Sequence, residues 1–136
     1  WRIGIRSPDG SGVLASLDLE GAHCVFTSGD YERYFEYRGK RYGHILDPRN
    51  GYPAQGVRSV TVLADDAALA DAAATALFVA GVQGWQEIAR SMSVRDVLLI
   101  DTAGDAYITG TLEPRVHFEQ HPRHIYTVNL DTHNDS

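Results

Sequence analysis

The sequence predicts an α+β fold, a mostly antiparallel sheet packed by one long and one short helix. Three observations carry this. Short stretches that alternate apolar and polar residues recur through the first half of the chain, the period of strands that bury one face. Turn chemistry such as SPDGSG separates them at spacings too short for crossover helices. After residue 64 the composition changes to alanine in DDAALADAAATALFVAG, a run of the strongest helix former.

Each element follows in order. Trp1 to Arg6 (WRIGIR) and Val13 to Leu19 (VLASLDL) read as strands, with Pro8, Asp9 and Gly10 turning the chain between them. Ala22 to Ser28 (AHCVFTS) reads as a third strand. YERYFEYRGKRYGHI reads as a hairpin of aromatic strands that turns at Arg38-Gly39-Lys40. Arg58 to Leu63 holds β-branched Val60, Thr61 and Val62, which favour a strand. Asp65 and Asp66 can cap the alanine-rich helix, and Gly81 fits its stop. Gly84 to Met92 suits the shorter helix, with Trp85, Ile88 and Ala89 on one face. Val97 to Asp101 and Ala106 to Thr109 form a second hairpin across Ala103-Gly104-Asp105. Residues 1–120 form the domain in this reading, and 121–136 a polar tail. His117, His121, His124 and His133 are too irregularly spaced, among prolines, for a metal cluster.

Composition narrows the function. At 136 residues, 43% hydrophobic and 22% charged, the chain is one domain's worth and has enough apolar surface for a core. A formal charge of −6 argues against a nucleic-acid surface, since Arg33, Arg38, Lys40 and Arg41 are interleaved with Glu32 and Glu36. An anionic ligand would need a metal ion or backbone N–H groups to offset repulsion. The single Cys24 excludes an internal disulfide and reads as a small buried hydrophobe. No uninterrupted apolar run approaches the ~18 residues of a membrane span. The opening WRIGIRSP carries no targeting pattern and reads as the middle of a longer protein.

Four places could carry chemistry. Asp71 sits among alanines and larger apolar residues, where a carboxylate is costly without a charged or hydrogen-bonding partner. Thr75 lies one turn on and shares its face. Two oxygen donors flanked by small alanines suit a hard cation such as Mg²⁺, although the same spacing also suits an exposed helix face. His44 can act as a base near neutral pH, or cap the end of the aromatic strand. GHILDPRNGYP is stiff at Pro48 and Pro53 and permissive at Asn50-Gly51, so it serves equally as a turn or as a rigid wall against a ring system. Ser28 and Gly29 offer a backbone anion nest, and Tyr31, Tyr34 and Tyr37 offer stacking faces or core residues.

Taken together, SGDYERYFEYRGKRYGHILDPRNGYP and ALADAAATALFVAG resemble the ApbE family of FAD:protein FMN transferases. The shared pattern is a serine-glycine start, an aromatic strand, His-Ile-x-Asp-Pro-x-x-Gly-x-Pro, then Ala-Asp-Ala-x-x-Thr-Ala on a helix. The resemblance runs from about Trp1 to Thr109. It implies that Asp71 and Thr75 bind Mg²⁺, that His44 is catalytic beside the flavin nucleotide, and that Ile45 and Ser28 contact it. FAD is then a substrate, cut to FMN and AMP, with FMN passing to a Thr or Ser hydroxyl of a target protein. The alternatives are FAD hydrolysis to FMN and AMP, a non-catalytic flavin- or metal-binding fragment, and a plain structural domain. Asn50 and the Ala73-Ala74 pair depart from residues frequent in the family. Members are considerably longer, so this chain corresponds to the C-terminal part, with strand edges open to association. The family implies the periplasmic side of a bacterial inner membrane, often with a lipid tether.

Overall fold

The computed structural model describes residues 2–7, 12–18, 24–29, 34–37, 40–43 and 56–130, with the backbone alone described in 34–37 and 40–43. The strands in chain order are β1 (Arg2–Arg6), β2 (Val13–Asp18), β3 (Cys24–Gly29), β4 (Tyr34–Tyr37), β5 (Lys40–Gly43) and β6 (Val57–Ala64). The helical segment α1 (Ala67–Ser91) follows, then β7 (Asp96–Asp101) and β8 (Ala106–Thr109). A 3₁₀ turn (Glu113–Arg115), β9 (Val116–Phe118) and β10 (Ile125–Val128) complete the described chain.

Five strands form the central sheet in the order β10-β8-β7-β6-β3, and three form a second sheet, β1-β2-β9. The aromatic hairpin forms as expected, with Tyr34 paired to Gly43 and Tyr37 to Lys40. Among the described residues all pairings are antiparallel except β10 with β8.

Alternation along the central strands divides the apolar residues between two layers. Val97 and Leu99 of β7 pack under α1 with Val60 and Val62 of β6. Leu98 and Ile100 point the other way, onto Ile5, Leu14, Ala15 and Leu17 of the smaller sheet. The register of β6 slips between Val57 and Ser59. That extra residue keeps Val57 in the helix-facing cluster although it stands three positions before Val60. Ala70, Ala73 and Ala74 are fully buried against the sheet. These small side chains let α1 lie close to it.

The expected long and short helices appear as one helical segment broken at Gly81, whose φ of 78° and ψ of −175° are non-helical. A side chain is strained in that region, and glycine is not. Asp66 is the N-cap, accepting from the Ala68 and Leu69 backbone N–H groups at 2.9 and 3.4 Å. Beyond the break, Trp85 and Ala89 are fully buried in the helix–sheet core with Leu130. By length and composition α1 is apolar enough to cross a membrane, but its apolar residues are those that cover the sheet.

Of the segment read as a polar tail, 121–136, residues 121–130 are described, and these belong to the fold instead. Ile125–Val128 forms β10, in parallel register with Ala106 to Thr109, and Leu130 joins the core. Tyr126 stacks on Tyr107 with ring centroids 5.1 Å apart, and the Arg90 Nε donates to the Leu130 carbonyl at 3.3 Å. The short, exposed sequence IYTV lacks strong alternation, so its pairing is set by the edge it meets rather than by its own pattern.

Candidate functional site

The helix that covers the sheet also presents the two predicted metal donors. Asp71 and Thr75 follow the 3.6-residue period away from buried Ala70, Ala73, Ala74 and Leu77, and both are exposed. Asp71 was expected to meet a partner on an apolar helix. It instead faces outward, and neither it nor Thr75 makes a side-chain hydrogen bond among the described residues. The carboxylate and hydroxyl therefore lie a turn apart on an open face lined by Ala68 and Ala72. One carboxylate and one hydroxyl form a partial oxygen set of the kind Mg²⁺ accepts, because that ion completes its octahedron with water and phosphate oxygens. Among the described residues no group of three or more His, Cys, Asp or Glu is placed to hold a metal ion.

Ser28 lies in β3, directly opposite Val60 of β6. Opposed residues in an antiparallel pair share a face, so Ser28 is on the side that α1 covers, as is its neighbour Phe26. Thr27 faces the other way and its hydroxyl is 3.0 Å from that of Thr61. Cys24 is half-buried against the helix–sheet core. His44 and Ile45, with the rest of His44–Pro53, lie outside the described residues. Ser28 thus lies on the sheet face that α1 covers, whereas Asp71 and Thr75 stand on the exposed side of that helix.

A second concave feature has no counterpart in the sequence reading. A cleft of about 330 Å³ opens where β6 begins, lined by Ser7, Leu14, Arg58, Ile100, Asp101 and His121 among others. Its described residues come from six elements or connections, so no local motif could reveal it. Asp101 is held by the turn it starts: its Oδ1 accepts from the Ala103 and Asp105 backbone N–H groups, both at 2.9 Å. The Tyr107 hydroxyl donates to its Oδ2 at 3.3 Å, and burial, reinforced by Asp101, pushes the Tyr107 phenol above its ordinary range. The Asp105 side chain is only 7% exposed and receives the Arg123 guanidinium through Nε at 2.9 Å and Nη2 at 3.0 Å. That bidentate contact, aided by His124 at 3.1 Å, holds the Asp105 carboxyl below its ordinary range. On the smaller sheet Arg2 and His117, each 3.0 Å away, do the same for Asp18.

The comparisons with known proteins agree with this architecture. The model of the ApbE family matches residues 1–114. The chain belongs to the ApbE family. A FAD:protein FMN transferase of Rhodobacter capsulatus is 47% identical over 116 residues, covering 85% of this chain and 22% of that protein. One from Treponema pallidum is 44% identical over 102 residues, 74% of this chain and 28% of that protein. The crystal structure of the ApbE protein of Thermotoga maritima superposes with a TM-score of 0.75 at 41% identity, covering 89% of this chain and 38% of that one. The flavin transferase ApbE of Vibrio cholerae gives a TM-score of 0.68 at 34% identity, with 85% and 37% covered. The chain therefore spans well under half the length of its ApbE relatives. The mixed architecture with one long helix is that of ApbE structures, and β9 and β10 lie beyond the residues the family model matches.

Proposed function

We propose that this chain is the C-terminal part of a Mg²⁺-dependent FAD:protein FMN transferase. The observation that carries the reading is the pair Asp71 and Thr75, open and without side-chain partners on one helix face, inside the region matched by the ApbE family model. Asp71 and Thr75 are the residues that would hold Mg²⁺. Bound there, the ion supplies charge neutralisation at the phosphate oxygens of the dinucleotide. Ser28 and Ile45 contact the flavin nucleotide. His44 orients the acceptor hydroxyl of a Thr or Ser side chain and receives its proton. The new oxygen–phosphorus bond forms at the FMN phosphorus as the bond from that phosphorus to the bridging oxygen breaks, and AMP leaves carrying the bridging oxygen. The work is positioning and electrostatics rather than covalent chemistry by the protein.

With water in place of the hydroxyl, the same displacement gives FMN and AMP. The partial length of the chain supports a second reading, a fragment that binds flavin and metal without turnover. By the family resemblance we assign the protein to the periplasmic side of a bacterial inner membrane, where protease access to a tagged protein in spheroplasts tests the assignment.

The decisive experiment measures melting of the chain with Mg²⁺ and FAD together, and AMP release from FAD. Stabilisation by the pair that is lost in Asp71→Ala supports the site. Stabilisation that persists in Asp71→Ala removes it. AMP release separates enzyme from binder, and a His44→Ala protein with unchanged turnover removes His44 from proton transfer.

A further inference from the structure

Among the described residues the central sheet ends on β3 at one side and on β10 at the other, and the two edges differ. β3 is half-buried or buried along its whole length, whereas Ile125, Tyr126 and Thr127 of β10 are all exposed. Of the three exposed large apolar side chains among the described residues, two stand on this one strand, Ile125 at 44% and Tyr126 at 45%. The ladder fixes which way the backbone points. The His124 carbonyl accepts from the Ala106 N–H and the Val128 carbonyl from the Gly110 N–H, both at 2.8 Å. Residues 124, 126 and 128 therefore turn their backbone polar groups toward β8. Ile125 and Thr127 turn theirs outward, where no described strand meets them.

Such an edge is ordinarily blunted by a charge, a proline or a bulge. IYTV holds neither charge nor proline, and its register on β8 runs through four pairs without a shift. The strand is also ordered before any partner arrives, because Arg123 grips Asp105, Tyr126 stacks on Tyr107 and Leu130 sits in the core. Pairing along it costs little further ordering. Charge and register identify the occupant. Residues 120–130 contain no acid in a chain of formal charge −6, and Arg123 is already matched by Asp105, so the edge selects for neither sign of charge. Turned about a twofold axis through Tyr126, the strand complements itself. Ile125 meets Thr127 of the second copy and exchanges two backbone hydrogen bonds with it, the reciprocal pair does the same, and Tyr126 faces its counterpart. Arg123 falls opposite Asn129, so no like charges meet. We propose that β10 is a homodimer interface, an antiparallel pairing that joins two five-stranded sheets into one. β10 lies beyond the residues 1–114 that the family model matches, so this contact is separate from the body shared by the family. The axis stands perpendicular to the sheet, which sets both α1 helices, with their Asp71 and Thr75, on the same side. A strand this short buries less than a standard interface, so the dimer is weak and forms as concentration rises.

The test uses the protein at its natural length in sedimentation velocity, over a series from about 5 to about 500 µM that spans the weak-interface range. A dimer fraction that rises through the series is expected. Ile125→Lys sets two like charges diagonally across the pair, and should raise the dissociation constant about tenfold or more. Thr127→Pro removes an outward N–H but no bond to β8, and should have the same effect. Circular dichroism checks that both variants keep their fold. Disulfide trapping then reads the register, in a protein whose other cysteines are replaced by serine. Tyr126→Cys puts two thiols at a directly opposed position within bridging distance, and oxidation should give a covalent dimer. Thr127→Cys puts them diagonally, beyond that distance, and should not. A protein that stays monomeric through the whole series overturns the inference, because another part of the same protein then covers the edge. A dimer that both Ile125→Lys and Thr127→Pro leave intact also overturns it, by placing the contact elsewhere. Trapping through Thr127→Cys but not Tyr126→Cys overturns the twofold pairing. None of these results bears on the flavin reading, which rests on other residues.

Discussion

Asp66 and Asp71 are acids five positions apart on one helix, and the structure gives them opposite work. Asp66 satisfies two backbone N–H groups that the first turn leaves without helical partners. Replacing it with alanine strands them, at a cost of about 1 kcal/mol, with a range of roughly 0.5 to 2. For a domain of this size that corresponds to a fall in melting temperature of about 3–4 °C. Asp71 stands past the first turn, exposed and without a side-chain partner among the described residues. Asp71→Ala exchanges a mediocre helix former for the best one, so the ligand-free protein holds its stability or gains up to about 0.7 kcal/mol. With Mg²⁺ and FAD the order reverses. Asp66→Ala keeps the ligand-induced rise in melting temperature, and Asp71→Ala loses it. Urea denaturation read by far-ultraviolet circular dichroism, with and without both ligands, gives all four values. An Asp71→Ala protein destabilised by more than about 1 kcal/mol without ligand would refute the reasoning, because it would make Asp71 a structural residue.

Other outcomes follow from the same structure. Leu99→Ala, at a fully buried position beneath α1, should lower unfolding free energy by about 2–5 kcal/mol in the same urea titration. Gly81→Ala places a Cβ on backbone at φ 78° and ψ −175° and should cost about 1–3 kcal/mol, with far-ultraviolet ellipticity reporting any rewinding of the helix. Asp105 and Asp18 have carboxyl groups held below the ordinary range, chiefly by Arg123 and Arg2 respectively. A carboxyl depressed in the folded state binds its proton more readily when unfolded, so its contribution is complete above the unfolded value of about 4. It is lost as the pH falls through the lower folded value. The urea midpoint should therefore drop below about pH 4, and Asp105→Asn should flatten that drop.

The sheet and the helix were legible for a simple reason. Alternation in VLASLDL and the β-branched run in RSVTVL mark strands, the second buried on both faces, and the alanine run between Asp66 and Gly81 carries its own cap and stop. Gly81 in particular was readable because only its φ, not its neighbours, breaks the helix. The last strand was not legible. Ile125–Val128 is short and mostly exposed, and it is fixed by β8, by Arg123 on Asp105 and by Tyr107 beneath Tyr126. The cleft was hidden too, since Arg58, Asp101 and His121 meet only after three separate segments have paired.

By itself the sequence determined the α+β class, the family and the spacing that sets Asp71 beside Thr75, because local periodicity and adjacent motif residues are written along one stretch of chain. Tertiary structure alone decided that Asp71 faces outward, since the orientation of an apolar helix depends on which of its sides the sheet covers. It also decided that Ser28 shares the face of α1 and that the C-terminal strand closes the central sheet. Both depend on register between distant strands, where a slip of one residue would turn every side chain to the other face.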